Sequence, residues 1–566
     1  MGTFAQFAST VIALPLLLAG AAVPNHPHAS GSVVQTSSGQ IRGLLLGASA
    51  VFKGIPYAQP PTGALRWREP QPVKSWSGVR DATQPGSACI QDADGLEKFL
   101  SQLAGVYGSP FHGKPVKSSE DCLYLNIWSP AWPPRSALPV MVWLHGGGNV
   151  FGSGSQSAYD GTALASHGVI VVTINYRLGV LGFFSDPELT AESPHHSSGN
   201  YGLLDQLAAL AWVQKNIAYF GGDPHNVTLF GESAGAIDAG QLMTSPLSSG
   251  LFRHIISESG TPFELGARAT PTLAEAESVG TAIGKAARGN SASALENLRS
   301  LPATEIVELA GNIVRSQFKD FNTASSVVDG WVLPQEPQKA FATGAIQKVD
   351  LLIGLNGREL SAFRIGSAAA AKLKKHKEGS GSTWEAVKKL ADIARPLYGV
   401  WTDPAIAMYL GKALVHPDAA VDQATNDMLV ACLIGATASL TTAWGQKVFI
   451  YRFDRTIPGK GAAELGAFHS LEIPYVFGDI EASSWRWLPF TGMDRKLSDS
   501  IQSYWTNFAK RGDPNSPELP PWPAWSNDDE AFLDIGEDGT ISSRRGFSPH
   551  FCYLAPDRLK QRLNTN

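Results

Sequence analysis

The sequence predicts an α/β fold, a mostly parallel central sheet with helices on both faces, and three observations carry that expectation. Continuous apolar runs of strand length recur in the first half of the chain, helical periodicities fall between them, and one run ends in a tight turn of small residues. The runs are Leu138 to Leu144, Val169 to Asn175 and Val227 to Phe230. They lack the polar alternation of a sheet with one wet face, so they read as central strands covered on both sides. Between them, Tyr201 to Asn216 sets Leu203, Leu204, Leu207, Leu210 and Val213 at helical spacing. From Val33 to Trp67 short strands alternate with turns, including a rigid Pro/Gly loop from Gly54 to Gly63.

After Gly260 the pattern changes. Leu273 to Ala287, Ala292 to Leu301 and Ala303 to Val314 read as successive helices, and Trp384 to Leu397 and Asp427 to Ala443 add two more. Strand candidates stand at Val349 to Gly354 and Val448 to Arg452. The helical blocks, about 261–345 and 364–445, are expected as insertions at the sheet's C-terminal edge that form the walls and cap of a gorge. Gly379 to Thr383 reads as a helix-to-helix loop rather than a domain junction, so residues 22–566 are expected to form a single domain.

Composition narrows the function classes. The chain has 566 residues, 43% of them hydrophobic, and a formal net charge of −5. The short basic run Lys372 to Lys377 reads as a solvated helix face, and no basic stripe supports nucleic-acid binding. Phe7 to Val23 is apolar and ends in Ala19-Gly20-Ala21, like the core and cleavage site of a secretory signal over residues 1–21. No Lys or Arg precedes Arg42, which leaves a short membrane tether or an unprocessed N-terminus as alternatives. A secreted or periplasmic protein with no stable membrane span is expected. Cys89, Cys122, Cys432 and Cys552 are too few for a disulfide scaffold; an exported protein leaves room for one or two bridges among them, and spacing does not give the pairing.

The turn of small residues is Gly231-Glu232-Ser233-Ala234-Gly235, the G-x-S-x-G pattern of a nucleophile elbow, with a helix expected from Ala236 to Met243. Tight glycine flanks permit a strained turn that holds a serine hydroxyl out over the sheet. A serine needs a base, and the base an orienting carboxylate. Among thirteen histidines the candidate base is His469, between a small-residue loop and an apolar segment, although a lone histidine is more often a loop or core residue. The candidate acid is Glu359, just past a strand end, whose plain alternative is a solvated glutamate paired with Arg358. Ser, Glu, His is also the chain order of hydrolase triads on α/β sheets. His145-Gly146-Gly147-Gly148 follows a strand and suits converging N–H groups of an oxyanion hole. A phosphate cradle is the other use of such a loop, but neither the Walker nor the dinucleotide spacing is present. No metal-ligand cluster is evident, and neither a metal nor an organic cofactor is expected.

Further segments carry a resemblance: Phe52 to Pro61, Ser119 to Trp128, Asn175-Tyr176-Arg177-Leu178-Gly179, Gly199 to Gln206, Phe220 to Pro224 and Trp505 to Ala509. With the elbow and the glycine loop, the chain resembles the type-B carboxylesterases, the cholinesterase/carboxylesterase family of the α/β-hydrolase fold, over nearly all of Val33 to Trp525. The resemblance implies a triad of Ser233, Glu359 and His469, oxyanion donors at Gly147, Gly148 and Ala234, and a supporting buried serine at Ser259. It implies a Cys89–Cys122 disulfide. Cysteines for the family's usual second bridge are absent, so Cys432 and Cys552 are expected to be free thiols. A small-molecule ester is the implied partner. The tryptophan that binds choline in cholinesterases has no counterpart between Cys89 and Cys122, which argues against choline esters. Asn149, Gly357, Arg358 and Leu360 also depart from the usual pattern, and these departures are expected to touch the pocket lining. The same resemblance leaves open a specialised ester, a carbamate or an amide, or a non-catalytic adhesion-type relative.

Overall fold

The computed structural model describes residues 32–549 and 552, apart from 92–94, 112–116, 135–136, 264–268, 288–290, 320, 367–382, 400–401 and 483. The secretory signal, the basic run at 372–377 and most of the 379–383 loop lie outside the described residues. The strands, in chain order, are β1 (Val33–Gln35), β2 (Gln40–Arg42), β3 (Leu44–Leu46), β4 (Ser49–Pro56), β5 (Val79–Asp81), β6 (Tyr124–Ser129) and β7 (Leu138–Leu144). They continue with β8 (Ile170–Ile174), β9 (Gly222–Glu232), β10 (His254–Glu258), β11 (Asp350–Asn356), β12 (Val448–Phe453), β13 (Phe532–Ile535) and β14 (Ile541–Arg544).

Among the described residues, β1, β2 and β5 form a small sheet, and the rest form an 11-stranded sheet in the order β3-β4-β6-β8-β7-β9-β10-β11-β12-β13-β14. From β8 to β13 every neighbouring pair is parallel, and the outer strands are antiparallel. The apolar runs explain the arrangement. Along β7, Val140, Val142 and Leu144 enter one buried cluster while Met141 and Trp143 enter another. β9 and β11 split the same way, Leu229 and Ile353 to the first cluster, Phe230 and Leu352 to the second. Alternate side chains of an extended strand point to opposite faces, so a wholly apolar strand demands cover on both.

Helices supply that cover. Tyr201–Asn216 forms one helix, as its periodicity predicts. Leu273–Ala286, Ala294–Ser300, Ala303–Gln317 and Pro337–Thr343 lie between β10 and β11. Between β11 and β12 stand Glu359–Gly366, Thr383–Tyr398, Thr402–Val415, Pro417–Asn426 and Cys432–Ala443. Thr402–Val415 and Pro417–Asn426 were not legible, because Pro404, Gly411 and Pro417 interrupt the helical pattern. Pro404 and Pro417 sit in first turns, where a missing N–H costs nothing. The single helix expected over Asp427 to Ala443 is divided: a π-helical turn, Asp427–Ala431, precedes the α-helix.

Cys89 and Cys122 are bridged. So are Cys432 and Cys552, with Cα atoms 5.6 Å apart, which corrects the expectation of free thiols. After β14 the chain returns to the helices before β12, and both cysteines enter one apolar cluster with Leu390, Ile406, Tyr409 and Met428. A sequence separation of 120 residues hides that return.

Candidate active site

Ser233 stands between β9 and the helix Ala234–Leu242 with φ 56° and ψ −122°, a conformation that side chains rarely adopt. Its N–H donates to the Glu258 carbonyl at 2.9 Å, so the neighbouring strand holds the turn. The flanking glycines are required by contact. A Cβ on Gly231 would lie 2.7 Å from the Gly235 backbone, and one on Gly235 would run into the Leu144 carbonyl. The strand–turn–helix context demanded by the motif is therefore present, with Ser233 only half-buried.

Glu359 begins the helix that follows β11, and His469 lies on the loop after Gly466. The two loops run side by side, with the Arg358 N–H donating to the Ala467 carbonyl at 2.9 Å. His469 Nδ1 is 2.6 Å from Glu359 Oε2. Glu359 Oε1 accepts the Asn356 N–H at 2.7 Å, so both oxygens of this buried carboxylate are occupied. Arg358 is not its partner, because that guanidinium pairs with Asp422 at 3.2 Å. On its other side, His469 Nε2 lies 3.1 Å from Glu232 Oε1.

The glycine loop takes up conformations that need glycine. Gly147 has φ 106° and Gly148 φ 62°, and a Cβ on Gly147 would strike the Phe151 carbonyl. Ala234 opens its helix, where N–H groups lack helical partners. All three residues line the cavity that Ser233 faces. Asn149, expected on the pocket lining, is instead buried behind it. Its amide donates to Asp238 at 3.0 Å, and its Oδ1 accepts the Tyr176 hydroxyl at 3.2 Å. Tyr176 also donates to the His145 carbonyl at 2.6 Å, which fixes the start of the loop. Burial pushes His145 down to about 4, leaving a neutral ring stacked on Tyr176.

Sequence reasoning missed the surrounding carboxylates. Glu232, the variable residue of the elbow, and Glu258 face each other in the β9–β10 register. Glu472, three residues after His469, accepts the Ser259 hydroxyl at 3.2 Å and is also bonded by the Asn356 amide. Ser259 therefore reaches the site through Glu472. Burial pushes the Glu232, Glu258 and Glu472 carboxyls up, Glu472 to about 8, so these are not three full negative charges at neutral pH. Burial alone would lower His469, but the carboxylates of Glu232 and Glu359 outweigh it and raise the imidazole above its ordinary value. The spacing His469–Glu472 was the one available signal for Glu472. Nothing local marks Asn356.

The cavity measures about 700 Å³. Its wall is largely aromatic and aliphatic, with Phe99, Phe151, Tyr159, Phe363, Phe468 and Trp485 beside Ser233 and His469. Phe99 and Leu103 come from the helix Gly95–Tyr107 inside the Cys89–Cys122 loop, and Asn322 stands between the helices Ala303–Gln317 and Pro337–Thr343. Among the described residues no His/Cys/Asp/Glu group is arranged to hold a metal, and no helix is long and apolar enough to cross a membrane.

The carboxylesterase family model matches residues 30–552. The chain is 36% identical over 555 residues to a fumonisin B1 esterase of Sphingopyxis macrogoltabida, covering 96% of this chain and 93% of the relative. It is 35% identical over 521 residues to the para-nitrobenzyl esterase of Bacillus subtilis (strain 168), covering 90% and 96%. A solved para-nitrobenzyl esterase structure superposes with a TM-score of 0.74 at 32% identity, over 95% of this chain and 100% of that one. An elbow serine on a large α/β sheet and a match over nearly the whole chain lead to one conclusion: the protein belongs to the carboxylesterase family, with the α/β-hydrolase fold, and is an ester hydrolase.

Proposed function

We propose that the protein hydrolyses small to medium carboxylic esters through an acyl-enzyme on Ser233. The observation that carries this reading is the 2.6 Å contact of Glu359 with His469, on the wall of the cavity onto which Ser233 opens. His469 Nε2 takes the Ser233 proton as Oγ attacks the ester carbonyl, and the N–H groups of Gly147, Gly148 and Ala234 receive the oxyanion. The tetrahedral intermediate collapses, His469 protonates the departing alcohol, and the acyl group remains on Ser233. Water, deprotonated by the same ring, then releases the acid. Glu359 holds Nδ1 protonated, so that Nε2 is the basic nitrogen.

The wall supports neutral, largely apolar esters. Choline esters fit poorly: the disulfide-closed loop offers Phe99 and Leu103 but no tryptophan, and Lys98 on the same wall carries the ammonium's own charge. Relatives named for fumonisin B1 and para-nitrobenzyl esters differ in substrate, so the shared element is the bond. We place this activity in a single unit, residues 22–566, behind a secretory leader. Ser233→Ala is expected to abolish p-nitrophenyl acetate hydrolysis with an unchanged melting curve. It should also abolish labelling by a fluorophosphonate, which otherwise marks Ser233 by mass spectrometry. Undiminished turnover in that variant overturns the assignment.

A further inference from the structure

We infer that Asn426 is a positioning residue for the acid of the triad, holding the strand end and helix start that carry Glu359; this rests on the triad proposed above. Asn426 is the last residue of the helix Pro417–Asn426 and is fully buried. Its Oδ1 accepts the Glu359 N–H at 3.2 Å. Its Nδ2 donates to the carbonyls of Asn356 and Gly357, at 3.4 and 3.3 Å.

These are the backbone groups that the local fold leaves without regular partners. Glu359 opens a helix, so its N–H has no helical acceptor, and Asn356 and Gly357 lie where β11 runs out. A carboxamide joins an acceptor and two donors in one plane, which matches this set of one N–H and two carbonyls. Glu359 is therefore held at two points, its carboxylate by its own loop through the Asn356 N–H and its backbone from the far side through Asn426.

A second contact comes from the same helix face. Asp422, one turn earlier, is buried and receives Arg358 at 3.2 Å and Arg364 at 3.1 Å, the cations that bracket Glu359 in the chain. A π-helical turn begins immediately after Asn426 and runs into the helix headed by the bridged Cys432. Neither Asn426 nor Asp422 lines the cavity, so their route to the chemistry runs through Glu359 rather than through substrate contact.

The test compares Asn426→Ala, Asn426→Asp, Glu359→Gln and Ser233→Ala in the full chain with p-nitrophenyl acetate. A misplacement near 1 Å costs about 10²-fold, so kcat of Asn426→Ala should fall about 10- to 100-fold with KM nearly unchanged. The downfield proton resonance of the His469–Glu359 hydrogen bond, identified by its loss in Glu359→Gln, should move or broaden. Asn426→Asp is isosteric but turns lone pairs towards both carbonyls, and it should show the same kcat loss. A folded Asn426→Ala or Asn426→Asp with wild-type kcat and an unmoved resonance overturns the inference. Failure of both variants to fold also overturns it, since the residue then serves the fold rather than the acid. If Glu359→Gln or Ser233→Ala turns over at the wild-type rate, the triad reading itself falls. If both are impaired and the Asn426 variants are not, only this inference does.

Discussion

Replacing Glu359 by glutamine changes one atom and removes an acceptor that the structure uses. Oε2 receives the His469 Nδ1 proton at 2.6 Å and Oε1 the Asn356 N–H at 2.7 Å, so the site needs two acceptors and a carboxamide has one. If the amide oxygen turns to His469, its NH₂ faces the Asn356 N–H, and leaving that buried donor unpaired costs about 1–3 kcal/mol of stability. If it turns to Asn356, the NH₂ faces Nδ1 and favours the tautomer protonated on Nε2, which cannot take the Ser233 proton. Loss of the charge-assisted bond alone, about 1.5–3 kcal/mol, corresponds to roughly 10- to 100-fold in rate. A wrong tautomer carries the loss towards about 10⁴. The expected fall in kcat/KM therefore lies between about 10 and 10⁴, read with p-nitrophenyl acetate alongside a thermal melt. A folded Glu359→Gln within about threefold of wild type refutes the reasoning.

Three further outcomes follow from the same geometry. Glu232→Gln removes a negative neighbour 3.1 Å from His469 Nε2 that favours the charged ring, so the His469 pKa falls and the neutral base persists to lower pH. The acid limb of its kcat/KM profile should move to lower pH, and a fixed or opposite limb refutes the coupling. Gly235→Ala drives a methyl into the Leu144 carbonyl, and overpacking of this kind costs about 1–3 kcal/mol, so both melting temperature and turnover should drop; wild-type values in both would count against the tight elbow. Thiol alkylation of the unfolded, unreduced protein should label no cysteine, and the double substitution Cys432→Ser, Cys552→Ser should cost about 2–5 kcal/mol; a label on either residue refutes the second bridge.

Sequence legibility tracked how local each constraint is. The apolar runs of β7 and β9 read as doubly covered strands because burial on both faces leaves no polar positions to tolerate. The elbow and glycine loop were legible because their backbone conformations exclude other residues, as Gly147 and Gly235 show by contact. Glu359 and His469 were legible through family motifs, since neither local pattern separates them from an ordinary surface glutamate or loop histidine. The helices at Thr402–Val415 and Pro417–Asn426 were missed because prolines in first turns look like breaks.

By itself, then, the sequence determined the α/β class, through its apolar runs, and the elbow that carries Ser233, through glycines restricted at single positions, while Glu359 and His469, the proposed partners of Ser233, came from the resemblance. Only the tertiary structure decided that Cys432 meets Cys552, that Asn149 braces a loop from behind, and that Glu232, Glu472, Asn356 and Asn426 gather around His469 and Glu359. Apart from the Asn356–Glu359 bond and the short step from His469 to Glu472, those contacts join residues far apart in the chain. They exist because packing both faces of the sheet brings its C-terminal edge and the returning helices together, and no local pattern carries that information.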